Sequence, residues 1–182
     1  MSSQTMLVLS DTHGNLPALE AVMNWARGRA IDAAVFLGDG AADLSPAAAG
    51  FACPWEKVRG NGDPYPAIPE AAVFDCEGHR FFLCHGHRYA LYNSYHTLIA
   101  AAKNMKAGAA LFGHTHIPFF DEEDGVLLIN PGSVGRPRSR IGATFALIEC
   151  APDKPLKVQF WGIGSRGKIR EVQISRSLYK SP

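Results

Sequence analysis

Short apolar runs rich in β-branched and aromatic residues recur along the chain, each bounded by Gly, Pro, Asp or Asn, and this punctuation predicts strands. They fall at residues 6–10, 33–37, 56–59, 72–76, 80–84, 109–112, 126–129, 144–149 and 156–161. Between the first two, Leu16, Leu19, Val22, Met23 and Ala26 follow helical spacing, and Asn15 with Pro17 suits a helix start, so a helix is predicted over residues 16–29. A second is predicted over residues 94–106. Strand and helix alternate in the first third, which favours parallel pairing through crossover helices. Glu77-Gly78 and Asp124-Gly125 carry hairpin-turn chemistry, so mixed or antiparallel pairing is expected later. Two sheets packed face to face, with helices outside, would bury this pattern.

Composition narrows the picture without changing it. The 182 residues and 47% hydrophobic content suffice for one substantial core, so a single domain over residues 1–182 is expected. A formal net charge of +1 supplies no field for gripping long nucleic acid. The basic stretch from Arg166 to Lys180 reads more economically as a solvated surface strand. Cys53, Cys76, Cys84 and Cys150 form neither a C-x-x-C pair nor a disulfide scaffold, and they read as core residues in a reducing compartment. No signal-peptide pattern or membrane-length apolar run is evident, so a soluble, cytoplasmic protein without membrane partners is expected.

The informative feature is where polar residues fall relative to the strands. Six apolar runs end in residues able to bind metal or phosphate: Asp11-Thr12-His13, Gly38-Asp39, Gly60-Asn61-Gly62-Asp63, His85-Gly86-His87, Gly113-His114-Thr115-His116 and Asn130-Pro131-Gly132-Ser133. In a largely parallel sheet the carboxyl ends of the strands open onto one crevice, so the six motifs are expected to converge. Imidazole, carboxylate and amide donors without thiolates make a mixed N/O site suited to Mn, Fe, Zn, Co or Ni. Each piece has a plainer reading: Asp11 can begin a turn, His13 can cap a helix, and Gly38-Asp39 and Asn61-Gly62-Asp63 are ordinary turn chemistry. Five of the seven histidines nevertheless sit at strand ends, with His79 at a turn and His96 on a helix surface.

D-x-H, G-D, G-N-x-[ED], H-G-H and G-H-T-H in this order resemble the calcineurin-like metallophosphoesterases, most closely their small prokaryotic branch, which ends in an Asn-Pro-Gly-Ser loop. The resemblance implies an α/β fold, a four-layer α/β/β/α sandwich of two mixed β-sheets flanked by helices. It implies two divalent metal ions, manganese favoured and Ni, Co, Fe, Zn or Mg as alternatives. Asp11, His13 and His116 would hold the first, Asn61, His85 and His114 the second, and Asp39 would bridge them. Such a pair activates a water between the metals for in-line attack on phosphorus, which makes a phosphodiesterase for a small phosphodiester or nucleotide-like substrate the expected activity. His87 is a plausible substrate contact, and Arg136 and Arg138 are candidate phosphate clamps or plain surface arginines.

Where more active members carry histidine after the asparagine, this chain has Gly62, so the usual proton donor to the leaving group is missing. His87 or Asp63 is the expected replacement. The rival reading is a non-catalytic or weakly catalytic scaffold like the eukaryotic retromer subunit of this fold. Degraded ligands would favour it, and all seven positions here are competent. A nuclease is disfavoured because the chain has no room for a DNA-gripping addition. Self-association is left open.

Overall fold

The computed structural model describes residues 3–47 and 51–174. Strand β1 (Gln4–Leu9) is buried from Met6 onward, and an uninterrupted buried run of this kind needs cover on both faces. Helix α1 (Leu16–Arg27) supplies one cover. It starts where Asn15 Oδ1 accepts the Ala18 N–H at 3.2 Å, and it buries Leu19, Val22, Met23 and Ala26. Strands β2 (Ala33–Phe36) and β3 (Trp55–Lys57) continue the sheet in parallel with β1. A short helix, α2 (Leu44–Ala47), lies in the connection between them.

Strands β4 (Ala71–Cys76) and β5 (His79–Cys84) form a hairpin across Glu77 and Gly78, whose φ angles of 48° and 83° meet the turn's need for two left-handed residues. Helix α3 (His96–Asn104) then crosses over to β6 (Ala109–Leu111), which pairs parallel to β5. Next come β7 (Pro118–Glu123), β8 (Val126–Pro131), β9 (Ala143–Cys150), β10 (Lys157–Ile163) and β11 (Ile169–Val172). The six-stranded sheet has the order β11-β10-β9-β1-β2-β3, and the five-stranded sheet β4-β5-β6-β8-β7.

Alternation along the strands sorts the core into three layers of contact. Met6, Val8 and Val35 face Phe81, Leu83 and Ile129 between the sheets. Leu7, Leu9 and Phe36 turn outward to Leu19, Val22 and Met23 of α1, while Phe82, Ala110 and Phe112 meet Leu98, Ile99 and Ala102 of α3. The result is the expected α/β/β/α sandwich of two mixed sheets.

Three details differ from the sequence reading. Strands β7 and β11 were not anticipated; both are edge strands, one opening with Pro118 and carrying acidic residues, the other lying among exposed cations. Parallel pairing also returns in the second sheet, where β5, β6 and β8 run together and only the outer β4 and β7 oppose them. His79 opens β5 just after its turn, with Nε2 3.1 Å from the Ala151 carbonyl. Arg166, Lys168 and Arg170 of the basic stretch are exposed, and its last part, 175–180, lies outside the described residues. Among the described residues, no helix is long and apolar enough to cross a membrane.

Candidate metal centre

The carboxyl ends of β1 and β2 in one sheet, and of β5 and β6 in the other, open onto the same edge of the sandwich. Backbone hydrogen bonds tie the loops together in pairs. The Asp11 and His13 amides donate to the Gly38 and Asp39 carbonyls at 2.9 and 3.1 Å, and the Gly113 amide donates to His85 O at 2.9 Å. Bonds also cross the seam between the sheets at this edge, among them the His114 amide to Asp11 Oδ2 at 3.1 Å and His85 Nδ1 to Leu37 O at 2.7 Å. Glycine is required where these loops touch. A Cβ on Gly60 would collide with Asp39 Oδ1, and one on Gly113 with Ser10 Oγ.

Five of the proposed ligands have left-handed backbone: Asp11 (φ 55°), His13 (45°), Asp39 (60°), His114 (67°) and His116 (61°). A non-glycine residue in this region costs of order 1–3 kcal/mol and persists only where its surroundings fix it. The bends let both members of D-x-H and H-x-H face one point. His13 Nε2 and His116 Nε2 lie 3.2 Å apart, at 3.6 and 3.1 Å from Asp11 Oδ1. Asp39 Oδ2 sits 3.7 Å from His13 Nε2 and 3.5 Å from His85 Nε2.

Two groups of three donors result, Asp11 with His13 and His116, and Asp11 with Asp39 and His85, each with its ligand atoms within 4.8 Å of one another. Asp11 Oδ1 is therefore shared between the groups, as well as Asp39 standing between His13 and His85. His114 adjoins the second group, its ring centroid 5.2 Å from that of His85, and Asn61 lies exposed on the wall of the adjoining cavity.

The donor atoms fit a cation better than they fit one another. His85 and His116 each place Nδ1 2.7 Å from a carbonyl, of Leu37 and Arg136, so in the neutral ring Nδ1 carries the hydrogen and Nε2 a lone pair. Those lone pairs face carboxylate oxygens. Asp11 Oδ1 and His85 Nε2 are buried without a hydrogen-bond partner, an arrangement that a metal ion between them relieves.

The electrostatics agree. Burial opposes ionisation of Asp11, yet the imidazoles of His116 and His13 and the charge of His85 hold its carboxyl well below the usual carboxylate range. Burial likewise opposes charge on Asp39, and the imidazole of His85 beside it lowers it overall. Burial pushes His85 down, but the Asp39 carboxylate beside it and the charges of Asp11 and Asp39 raise it. His87 and His114 are both lowered, by burial and then by His85.

Several polar residues position these ligands. Asp63 is 7% exposed, and its two oxygens accept the amides of Asp39, Gly40, Ala41 and Gly60 at 2.8 to 2.9 Å. The expectation that Asp63 supplies a proton is thereby corrected. A hydrogen on either oxygen would displace a backbone donor, and the carboxylate ties the Gly38-Asp39 loop to the Asn61 loop instead. Asp43, which the sequence reading passed over, binds Thr12 Oγ1 at 2.5 Å and the Gly14 amide at 2.8 Å.

The Asn130 to Ser133 loop is also corrected from donor to support. Asn130 Nδ2 donates to Gly113 O and Thr115 Oγ1, and Ser133 Oγ donates to Asp11 O. His87 stands beside the centre, its ring 5.6 Å from His85 and 6.3 Å from His114.

A cavity of about 590 Å³ opens over the centre, walled by His13, Asp39, Asn61, His114 and His116 together with Arg136, Arg138 and Tyr92. The Arg138 amide donates to His116 O at 3.1 Å and its guanidinium to Tyr92 Oη at 3.0 Å, so this strand of chain is fastened to the ligand loop. Tyr92 escaped the sequence reading. A larger cavity, about 720 Å³, lies between α1 and residues 163–169, and no histidine, aspartate or cysteine lines it.

Residues 5–153 match the family model described as the calcineurin-like phosphoesterase superfamily domain. A probable metallophosphoesterase of Mycoplasma pneumoniae is 35% identical over 139 residues, covering 74% of this chain and 81% of that protein. A conserved protein of Streptococcus pneumoniae, described as a predicted phosphoesterase, superposes with a TM-score of 0.75 at 30% identity, covering 94% of this chain and 98% of that one. A Vps29 of Entamoeba histolytica has the same fold, with a TM-score of 0.78 at 20% identity over 94% of this chain and 100% of that one. With the ligand-bearing loops lying inside the matched region, the chain belongs to the calcineurin-like phosphoesterase superfamily.

Proposed function

We propose that the protein hydrolyses small phosphodiesters with two divalent cations, manganese the favoured metal, held by Asp11, His13, Asp39, Asn61, His85, His114 and His116. The observation that carries this reading is the meeting of buried Asp11 Oδ1, Asp39 Oδ2 and three imidazole nitrogens with no hydrogen bond to satisfy Asp11 Oδ1 or His85 Nε2. Cations bound there would supply Lewis acidity to the phosphate oxygens and to the attacking water.

The chain's own residues do the rest. Arg136 and Arg138, on the wall of the same cavity, pair with the nonbridging oxygens that the in-line transition state charges. Asn61 reaches the substrate from the opposite loop. Gly62 offers no proton, and burial disfavours the charged form of His87, so it contributes a ring and a lone pair to the substrate side. Leaving groups that need no protonation are therefore preferred.

An aryl phosphodiester and the corresponding alkyl phosphate monoester, assayed across Mn, Ni, Co, Zn and Mg, test the assignment. The diester is expected to be cleaved faster by about a hundredfold, the scale of a missing general acid. A clear monoester preference would contradict it. The fold shared with Vps29 supports a second reading, a scaffold that keeps its metal site without turnover. Stoichiometric cation binding with no hydrolysis under any metal would select that reading. Buried thiols at Cys76, Cys84 and Cys150 suit a reducing cytoplasm.

A further inference from the structure

Tyr92 is the wall between two cavities. On one side lies the space over the metal ligands; on the other a cavity of about 290 Å³ is lined by Leu91, Tyr95, Ile117 and Phe119, with Asn93, Ser94 and Thr115 completing it. The ligand loop itself divides along the same line. His114 and His116 face the first cavity while Thr115 and Ile117 line the second, so the two spaces sit back to back on one stretch of backbone.

Tyr92 is 62% exposed and belongs to none of the three core clusters. Packing does not explain a large aromatic ring there. Its position is nevertheless fixed: Arg138 holds its hydroxyl at 3.0 Å, and its ring stands 5.8 Å from that of His114 at 60°. Arg138 is one of the two cavity arginines assigned above to phosphate, so the ring is set by the side chain that meets the substrate.

We propose that the cavity beyond Tyr92 is a subsite for the base of a nucleoside arm on the substrate. This deepens the phosphodiesterase reading and rests on it. Three features carry the assignment. The volume lies at the lower edge of small-molecule sites and suits one planar ring system, not a whole nucleotide. The lining is aromatic and aliphatic, with Tyr95 and Phe119 stacked at 4.9 Å and 29°, and the hydroxyl and amide groups of Asn93, Ser94 and Thr115 are polar partners for the edge of a base. The separation matters as well. An aryl ring on an ester oxygen stays beside the phosphorus, on the ligand side of Tyr92, whereas a sugar between phosphate and base carries the base further, toward the space behind it. Hydrolysis of such a diester leaves a nucleotide with its phosphate at the metals and its base in the subsite.

Two product-like compounds that share phosphate and sugar and differ in the base make the test: adenosine 5′-phosphate and methyl riboside 5-phosphate, as inhibitors of aryl diester hydrolysis by the manganese-loaded protein. Adenosine 5′-phosphate is expected to bind about tenfold more tightly, the scale of one base–aromatic contact. Tyr92→Ala, which removes the wall, and Ile117→Trp, which fills the cavity, should each bring the two inhibition constants to within about twofold of each other. Calorimetric titration with Mn²⁺ is expected to give wild-type stoichiometry in both variants. Equal constants in the wild type, or a preference that survives Ile117→Trp, overturns the subsite. If Ile117→Trp fails to fold, a preference surviving in the surface variant Tyr92→Ala overturns it, and loss of the preference there upholds it. If manganese binds but no diester turns over, the phosphodiesterase reading fails and takes the subsite with it.

Discussion

The two banks of the metal centre are held in shape by different chemistry. On the β1–β2–β3 bank, carboxylates collect backbone amides: buried Asp63 takes four, Oδ1 of buried Asp39 takes that of Gly62 at 2.7 Å, and half-buried Asp43 takes that of Gly14. On the β5–β6–β8 bank the supports are neutral, with Asn130 donating to Gly113 O and to Thr115, and His85 reaching Leu37 O across the seam. The first bank therefore accumulates negative charge in a place from which water is excluded, and the second supplies neutral nitrogen donors. Asp11 and Asp39 have histidine ring nitrogens as their neighbours at 3.1 to 3.9 Å. A cation between the banks completes this arrangement, and the difference explains why the oxygen ligands come from one sheet and most of the nitrogen ligands from the other.

The comparison breaks most severely at Asp39. Asp39→Asn removes the charge that stands between His13 and His85, and turnover is expected to fall on the order of a thousandfold, with calorimetry showing weaker binding at both cation positions. Near-full turnover at saturating metal would leave the bridging role without support.

Supports should separate the banks next. Asp63→Ala orphans four amides that a charged acceptor satisfied, at a cost of about 3–4 kcal/mol in chemical denaturation of the metal-free protein. Asn130→Ala loses neutral bonds only, and about 1–2 kcal/mol is expected. Equal losses would remove the asymmetry described above.

Acid sharpens the contrast in a smaller way. Asp11's folded pKa lies below its ordinary 3.8, so its contribution to stability is complete above that value and is lost as pH falls through the folded one. Thermal unfolding of the metal-free protein below about pH 4 should therefore show a steeper decline for wild type than for Asp11→Asn. Parallel curves would mean that the carboxylate gains nothing from its imidazole neighbours.

Much of this was legible in the chain itself. Polar residues that follow an apolar run at a strand's end have nowhere to go but the crevice, which is why Asp11, His13, Asp39, His85, His114 and His116 could be read as one cluster. Asp63 and Asn130 look the same in the sequence and do something else, because whether an oxygen faces solvent or a ring of backbone amides depends on how the loop closes. Tyr92 was hidden for the opposite reason: nothing in an irregular loop says which cavity a side chain will divide. Strands β7 and β11 escaped because edge strands tolerate proline and charge, and so lack the apolar signature of the inner strands.

The left-handed angles at Asp11, His13, Asp39, His114 and His116 bear on how such chains change over time. Glycine would relax any of these positions, and the conformational relief is of order 1 kcal/mol apiece. A duplicate gene copy released from holding metal thus has a downhill route at the histidine bends, where ligands are shed while the sandwich grows more robust. Retention of all five bends is a running cost that only use of the site repays.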